Sequence, residues 1–324
     1  MSLSAAPTTA SIDGTWFAAF GSTIGVWVTE PRQLALAETI LRQWVQRVDR
    51  TCSRFRADSD LNRANNSAGT PVLVAPELLD AVTAALEMAE ASGGWYDPTV
   101  GQAVVAAGYD RSITEIEGRG PGALGPAAPA GRWSEVEMDR QRSTLRVPLG
   151  TLIDLGGCAK GWAADRAVAL LSRALGEATG ICVNAGGDLA VGGPAPAEGW
   201  PVRISHSLHG SPAGGDLQVG LQSGALATSG MVRRHWRIDG QEFHHLVNPR
   251  TGRPGAEHWR LVTVHADRCA IADPAATVAW LMGCDAPAWL ESQGLTARLV
   301  HRDGSVRWVG SPGQALDLEI GAPL

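Results

Sequence analysis

The chain has 324 residues and a net charge of -6, with 44% apolar and 19% charged residues. This balance is typical of a globular protein and excludes wholesale disorder. Because lysine and arginine form no block along the chain, a nucleic-acid partner is not expected. The five cysteines are scattered without CxxC spacing, which indicates ordinary buried thiols in a reducing compartment rather than disulfides or a thiolate zinc site.

The start of the chain shows no basic residues followed by an apolar stretch, so no signal peptide is predicted. No run reaches the length of a membrane span, and we expect no membrane partner. Residues 1–14 are predicted to be a flexible N-terminus, and 15–324 one domain or two fused lobes. The Gly/Pro-rich stretch 118–131 predicts a mobile surface loop within it.

Apolar spacing and turn residues predict the following elements in chain order. Strands are predicted at 16–28, 145–147, 151–155, 181–184, 189–191, 202–205, 217–222, 236–238, 243–247, 261–266, 297–300 and 306–309. Helices are predicted at 32–48, 76–92, 274–282 and 287–292, with another that carries Trp162, Val168, Leu171 and Leu175. The pattern favours an α+β fold with mixed, largely antiparallel sheets and flanking helices, without regular βαβ alternation.

A first candidate site is the segment DLGGCAKG at 154–161, which runs from a predicted strand through two glycines into a helix. Backbone N–H groups at a helix start attract anions, and glycines allow a phosphate to approach. Lys160 would add a full positive charge. The spacing does not match a Walker A loop, so a tight turn with a surface lysine is an equally good interpretation.

A second candidate is DPAAT at 273–277. Because proline favours the first helical position, Asp273 is predicted to be an N-cap, with Thr277 one turn later. A capping aspartate and a buried threonine explain the pattern without any ligand. The alternative is that carboxylate and hydroxyl oxygens meet a backbone carbonyl around a hard cation such as Mg²⁺.

A pair of histidines, His244 and His245, ends a predicted strand. Strand alternation sends their side chains to opposite faces, so at most one faces a given site. A histidine with a near-neutral pKa can take a proton from an attacking hydroxyl, although a strand histidine is more often a structural residue.

Two further segments carry groups that suit a nucleotide. Trp95, Tyr96 and Asp97 combine aromatic surface with a carboxylate, which can stack on and hydrogen-bond a purine or flavin ring, or can equally begin a core strand. Ser229 and Gly230 with Arg233 and Arg234 supply donors for phosphate or ring oxygens, although arginines in loops are usually solvated.

Taken together and in this order, the segments resemble the ApbE family of FAD:protein FMN transferases. The matching pieces are SRFRADSDL (53–61), GWYDPTVG (94–101), DLGGCAKGWAADR (154–166), VNAGGDLAV (183–191), ALATSGMVRR (225–234), HLVNPRTGRP (245–254) and residues 270–283. Several collinear motifs are far more specific than any one of them. The resemblance implies an ApbE-like α+β fold.

The resemblance also implies roles for individual residues. The metal ligands implied are the carbonyl of Gly157 and the side chains of Asp273 and Thr277. The implied FAD contacts are Phe20, Phe55, Trp95, Tyr96, Asp97, Asp154, Lys160 and His245. Trp95 to Asp97 would lie beside the adenosine part, and His245 near the transferred phosphate. His245 and Lys160 are the implied catalytic residues.

The implied activity is magnesium-dependent transfer of the FMN half of FAD to a Ser or Thr hydroxyl of an acceptor protein, with release of AMP. Two alternatives are an FAD pyrophosphatase that gives FMN and AMP, and a non-catalytic flavin-binding protein. The lipoprotein cysteine and export signal usual in the family are missing from this sequence, so a cytoplasmic location is expected.

Overall fold

The computed structural model describes residues 12–116, 130–205, 217–230, 235–238, 241–311 and 316–317. The helices are α1 (Leu34–Cys52), α2 (Asp60–Asn66), α3 (Pro76–Ala91), α4 (Gly101–Ala106), α5 (Ile113–Ile116), α6 (Ala159–Leu175), α7 (Cys269–Met282) and α8 (Ala286–Ser292). The strands are β1 (Asp13–Ala19), β2 (Ser22–Val28), β3 (Val72–Leu73), β4 (Glu137–Asp139), β5 (Thr144–Arg146), β6 (Ile181–Ala185), β7 (Asp188–Gly192), β8 (Trp200–Ile204), β9 (Leu217–Leu221), β10 (Ala225–Gly230), β11 (His235–Ile238), β12 (Gln241–His244), β13 (Val247–Asn248), β14 (Arg253–Pro254), β15 (Trp259–Ala266), β16 (Thr296–His301), β17 (Val306–Val309) and β18 (Leu316–Asp317). Most of the predicted flexible N-terminus, 1–14, and of the loop at 118–131 lies outside the described residues.

The main sheet has eight strands in the order β1-β2-β6-β7-β10-β15-β16-β17, and the neighbours pair antiparallel. Strand β6 shows that the main sheet separates two hydrophobic cores. Ile181 and Val183 belong to the main core, whereas Cys182 belongs to a second core under the small sheet β18-β9-β8. Successive side chains of a strand point to opposite faces, so the sheet is buried on both sides. The predicted α+β class with largely antiparallel sheets is confirmed.

Helices α1, α6 and α7 cover one face of this sheet, and α3 packs over them. Trp44 of α1 fixes the first pair, because its Nε1 donates to the carbonyl of Ala163 in α6 at 2.9 Å. Its ring also lies 5.5 Å from that of Trp162. Helices α6 and α7 lie over the middle strands of the sheet, β6, β7, β10 and β15.

Helices α6 and α7 approach each other most closely at Gly161. A Cβ at this position would lie 2.4 Å from the carbonyl oxygen of Cys269 and 2.8 Å from the Cβ of Asp273. Two carboxylates cross this contact. Asp273 of α7 accepts from the N–H of Gly161 at 3.1 Å, and Asp165 of α6 accepts from Cys269 and Ala270 at 2.8 and 2.9 Å. Each helix thus satisfies first-turn N–H groups of the other.

The predicted start of the helix at Pro274 is wrong, because α7 begins at Cys269. Asp273 is therefore not an N-cap but a helical residue whose side chain reaches α6. The N–H groups at the true start are capped by Asp165, a residue far away in the sequence, and no local pattern indicates such a partner. Pro274 is tolerated inside the helix at the cost of one backbone hydrogen bond.

Two other predictions about strands need correction. Residues 151–155 form no regular strand, and Leu152 makes only an isolated bridge with Val100. The central strand β10 was not predicted, because Ala225–Gly230 is rich in small and polar residues that have weak strand propensity. Its place between β7 and β15 supplies the strand partners that its sequence does not suggest.

All five cysteines are unpaired, as predicted, and four of them are buried. Cys284 is exposed, which corrects the expectation that all five are buried. Burial raises the pKa of Cys182 to about 12, so its thiol is kept in the unreactive neutral form. None of the helices in the described part of the chain is long and apolar enough to cross a bilayer.

The replacement Gly161→Ala tests the close contact of α6 and α7. The added methyl group would overlap the backbone of Cys269, so we expect the free energy of unfolding to fall by about 1–3 kcal/mol. Urea denaturation measures this change. The control Arg173→Ala, in the exposed last turn of α6, should stay within about 0.5 kcal/mol of wild type, and equal losses in both variants would contradict the contact.

Candidate functional site

A cavity of about 830 Å³ opens beside the N-termini of α6 and α7. This volume lies in the upper part of the range of small-molecule sites, about 300–1,000 Å³, so an extended ligand fits. The cavity brings together most of the residues singled out in the sequence. Its lining includes Trp95, Tyr96, Asp97, Asp154, Gly157, Lys160, His245, Asp273 and Thr277.

Oxygen-bearing groups from three segments meet at one end of the cavity. A Cβ built on Gly157 would lie 3.9 Å from Oγ1 of Thr277 and 3.3 Å from the ring of Tyr96. The hydroxyl of Thr277 lies 3.0 Å from that of Ser229 in β10, and Asp273 stands one turn before Thr277 on α7. The residues at this end supply a carbonyl, a carboxylate and hydroxyls.

These donors are hard oxygens, which Mg²⁺ prefers over nitrogen or sulfur. Among the described residues, no group of three His, Cys, Asp or Glu side chains converges on a possible metal position. The candidate cation site combines the carboxylate of Asp273 with the hydroxyl of Thr277 and the backbone of Gly157. Such a set suits Mg²⁺, which is commonly held by one or two carboxylates together with the phosphates of a substrate.

Lys160, in the first turn of α6, points to the same end. Its Nζ is hydrogen-bonded to Oδ2 of Asp188 and lies 3.8 Å from Oδ2 of Asp273. Its side chain is 17% exposed, against 4% for Asp188 and 6% for Asp273. A lysine ammonium thus stands between two buried carboxylates and faces the cavity, so the interpretation of Lys160 as a plain surface lysine is wrong.

Asp154 stabilises the turn at Gly156 and Gly157. Its Oδ1 accepts from the N–H of Gly156 at 2.6 Å, and its Oδ2 pairs with Nε of Arg54 at 2.6 Å. The Arg54 and Asp154 side chains are only 9% and 11% exposed, and Arg54 also donates to the carbonyl of Tyr109 at 2.8 Å. The N–H groups of Gly156 and Gly161, which the sequence suggested as anion donors, are therefore bonded within the protein.

The segment Trp95 to Asp97 forms one wall, without a strand. Asp97 is buried, and its carboxylate accepts from the N–H and hydroxyl of Thr99 and from the N–H of Gly131. Burial raises the pKa of Asp97, against the lowering effect of these bonds. The guanidinium of Arg250 lies 4.3 Å from the centre of the Trp95 ring. The segment is thus held by several contacts within the protein.

Tyr96 packs its ring against the turn at Gly157. The residue is buried, and burial raises the pKa of its hydroxyl well above the ordinary value. The hydroxyl therefore stays protonated and can act as a donor.

The two histidines lie on opposite sides of the backbone, as predicted. His245 lines the cavity, whereas His244 is buried with its ring 5.1 Å from that of Trp280, edge to face. Burial lowers the pKa of His244. His245 is therefore the member of the pair that can reach a ligand.

Phe20 and Phe55 are not among the described residues that line the cavity. Phe20 occupies the β1–β2 turn with φ of 56°, next to the lining residue Gly21. Phe55 is 46% exposed and packs against Tyr109, which does line the cavity. The flavin contacts implied for these two phenylalanines stay predictions.

Sequence reasoning missed several residues that shape the site. Arg54 and Asp188 lie inside matched segments, but nothing local showed their partners Asp154 and Lys160. Ser229, named as a donor for phosphate or ring oxygens, lines the cavity with its hydroxyl 3.0 Å from that of Thr277, and its predicted role stays a prediction. Arg233 and Arg234, named with it, lie outside the described residues.

The chain is similar to known proteins over most of its length. The ApbE family model matches residues 20–312. The FAD:protein FMN transferase of Treponema pallidum is 30% identical over 285 residues, which cover 81% of this chain and 76% of that protein. That of Klebsiella pneumoniae is 27% identical over 310 residues, covering 93% and 87%.

Solved structures show the same fold. The crystal structure of the ApbE protein from Thermotoga maritima superimposes with a TM-score of 0.76 at 25% identity, over 92% of this chain and 97% of that chain. The flavin transferase ApbE from Vibrio cholerae gives a TM-score of 0.75 at 22% identity, over 93% and 97%. The expected ApbE-like fold is thereby confirmed.

The burial of His244 predicts a pH dependence of stability. Its pKa in the folded protein lies below the ordinary 6.5, so near that pH the unfolded chain binds a proton that the folded chain does not. Stability from this residue is present above pH 6.5 and is lost as the pH falls, with a slope of up to about 1.4 kcal/mol per pH unit.

Urea denaturation between pH 7 and 5 measures this slope, and His244→Phe should reduce it. The control Leu73→Ala, which shortens an exposed side chain and removes no titratable group, should keep the wild-type slope. A slope that is unchanged by His244→Phe would contradict the assignment.

Proposed function

This chain belongs to the ApbE family, and from that premise we propose that it is a magnesium-dependent FAD:protein FMN transferase. It moves the FMN half of FAD to a Ser or Thr hydroxyl of an acceptor protein and releases AMP. The names of its relatives in Treponema pallidum and Klebsiella pneumoniae support the transfer of flavin to protein. The metal, the acceptor hydroxyl and the leaving group are argued from the site.

One observation carries the proposal. The Gly157 turn, the α7 side chains of Asp273 and Thr277, the ammonium of Lys160 and the ring of His245 all line one cavity. A set of hard oxygens beside a cation and a proton acceptor is what transfer of a phosphoryl group requires. The other wall carries Trp95, which can stack on the adenine of the substrate.

Gly157, Asp273 and Thr277 fit a magnesium ion by the chemistry of their oxygens. Bound Mg²⁺ supplies positive charge to the pyrophosphate oxygens of FAD and so favours departure of AMP. The protein itself supplies the remaining steps. Lys160 sits at 3.8 Å from Asp273, where its ammonium can contact a phosphate oxygen next to that carboxylate.

His245 is the proton acceptor in this proposal. The acceptor hydroxyl oxygen forms a bond to the phosphorus of the FMN half, while the bond from that phosphorus to the bridging oxygen breaks. The hydroxyl proton passes to an imidazole nitrogen of His245, and AMP leaves with the bridging oxygen. The walls of the cavity hold the dinucleotide in place and exclude water, which would otherwise replace the acceptor.

The variant Asp273→Asn tests the proposal while keeping an oxygen that can accept from Gly161. Purified enzyme, FAD, Mg²⁺ and an extract of the source cells are incubated together. AMP is measured by chromatography, and protein-bound FMN by flavin fluorescence on a denaturing gel and by mass spectrometry. We expect wild type to form both, and Asp273→Asn to lose about 100-fold or more in rate.

Asp267→Asn, an exposed carboxylate before α7, is the matched control and should behave as wild type. Melting temperatures of both variants show that they fold. Undiminished transfer by Asp273→Asn would refute the assignment of the site. Equal AMP release with and without extract would indicate FAD hydrolysis instead, and flavin binding without AMP would indicate a carrier.

A further inference from the structure

We propose that Asp188 is a positioning residue that keeps the ammonium of Lys160 at 3.8 Å from Asp273 and so limits its competition with a divalent cation for that carboxylate. The inference rests on the proposed function in taking Asp273 as a cation ligand. Asp188 is not itself a cation ligand in this proposal. It affects the affinity for the cation through its ion pair with Lys160.

The position of Asp188 is fixed by a tight turn. It begins β7 directly after Gly186 and Gly187, whose φ angles of 77° and 108° only glycine adopts freely. The turn is held by the N–H of Gly186, which donates to the carbonyl of Thr23 at 2.9 Å, and by that of Gly187, which donates to Oδ1 of Asn184 at 2.8 Å. Asp188 is 3% exposed and cannot swing out to water.

The turn also touches the stem of Lys160. A Cβ built on Gly186 would lie 3.6 Å from Cδ of Lys160, so the aliphatic part of the lysine runs past the glycines to the carboxylate behind them. The ammonium is hydrogen-bonded to Asp188, while its distance of 3.8 Å to Oδ2 of Asp273 is too long for a hydrogen bond. Of the two carboxylates, Asp188 is thus the stronger partner.

The arrangement has a consequence for a cation at Asp273. An ammonium and a divalent ion compete for the same carboxylate, because each neutralises its charge. When Asp188 loses its charge, Lys160 is expected to move the short distance to Asp273, because that carboxylate already lies 3.8 Å from its ammonium and a buried charge is costly unless it is closely paired. A divalent ion would then have to displace the lysine, and its affinity would fall.

The test is a double-mutant cycle read by cation binding, without turnover. Isothermal titration calorimetry with Mn²⁺ gives the dissociation constant of the full chain for wild type, Asp188→Asn, Lys160→Met and the double variant. We expect Asp188→Asn to weaken Mn²⁺ binding about tenfold when Lys160 is present, and by less than about threefold when it is methionine. Thermal melts establish that each variant is folded.

If Asp188 acts only through its own charge or only through folding, the changes in Mn²⁺ affinity differ from these. In that case Asp188→Asn weakens binding by the same factor in both backgrounds, and this result would overturn the proposal, as would the absence of any effect. If the variants give either of these results while wild type releases AMP, the inference fails and the proposed function stands. Wild type that releases AMP but binds no Mn²⁺ in the titration defeats the inference alone, whereas wild type that neither binds Mn²⁺ nor releases AMP defeats both.

Discussion

Two carboxylates cross between α6 and α7, that of the buried Asp273 and that of the half-buried Asp165, and each accepts from N–H groups in the first turn of the other helix. Asp165 of α6 accepts from the first two N–H groups of α7, and Asp273 of α7 accepts from the third residue of α6. Helix starts carry unsatisfied donors and partial positive charge, so both carboxylates are stabilised there. Gly161 provides the close approach that this exchange needs.

The exchange of caps has a functional result. It anchors Asp273 beside the turn at Gly157, although the two lie in segments that are far apart in the sequence. The same carboxylate that completes α6 then faces the cavity next to Lys160 and Thr277. Asp273 therefore both joins the two helices and belongs to the candidate site. The site is formed before any ligand binds.

Charge at the site is balanced by pairs rather than by solvent. Arg54 neutralises Asp154 under the glycine turn, and Asp188 holds Lys160 behind it. Buried charges of this kind are stable only when they are paired and hydrogen-bonded. Among the described residues, the Lys160 ammonium thus stands between the carboxylates of Asp188 and Asp273 in the cavity lining, where we propose that the pyrophosphate binds.

The sequence predicted those parts of the fold that depend on local patterns. Helix α3 follows from its apolar spacing and from Pro76 at its start, and the class of the fold follows from the succession of short strands. Strand β10 and the start of α7 were missed because tertiary partners decide them: β7 and β15 for the strand, and Asp165 for the helix. Likewise, the motifs named Lys160 and Asp154, but only the structure revealed Asp188 beside the first and Arg54 beside the second.

The most direct test of the central claim is the position of a cation in crystals of the full chain grown with FAD and Mn²⁺. Anomalous scattering locates Mn²⁺ independently of the surrounding protein. The account predicts a peak bound by the Asp273 carboxylate, the Thr277 hydroxyl and the Gly157 carbonyl, against the phosphates of FAD. A peak held by other residues, or FAD in the cavity with no cation at Asp273, would contradict it.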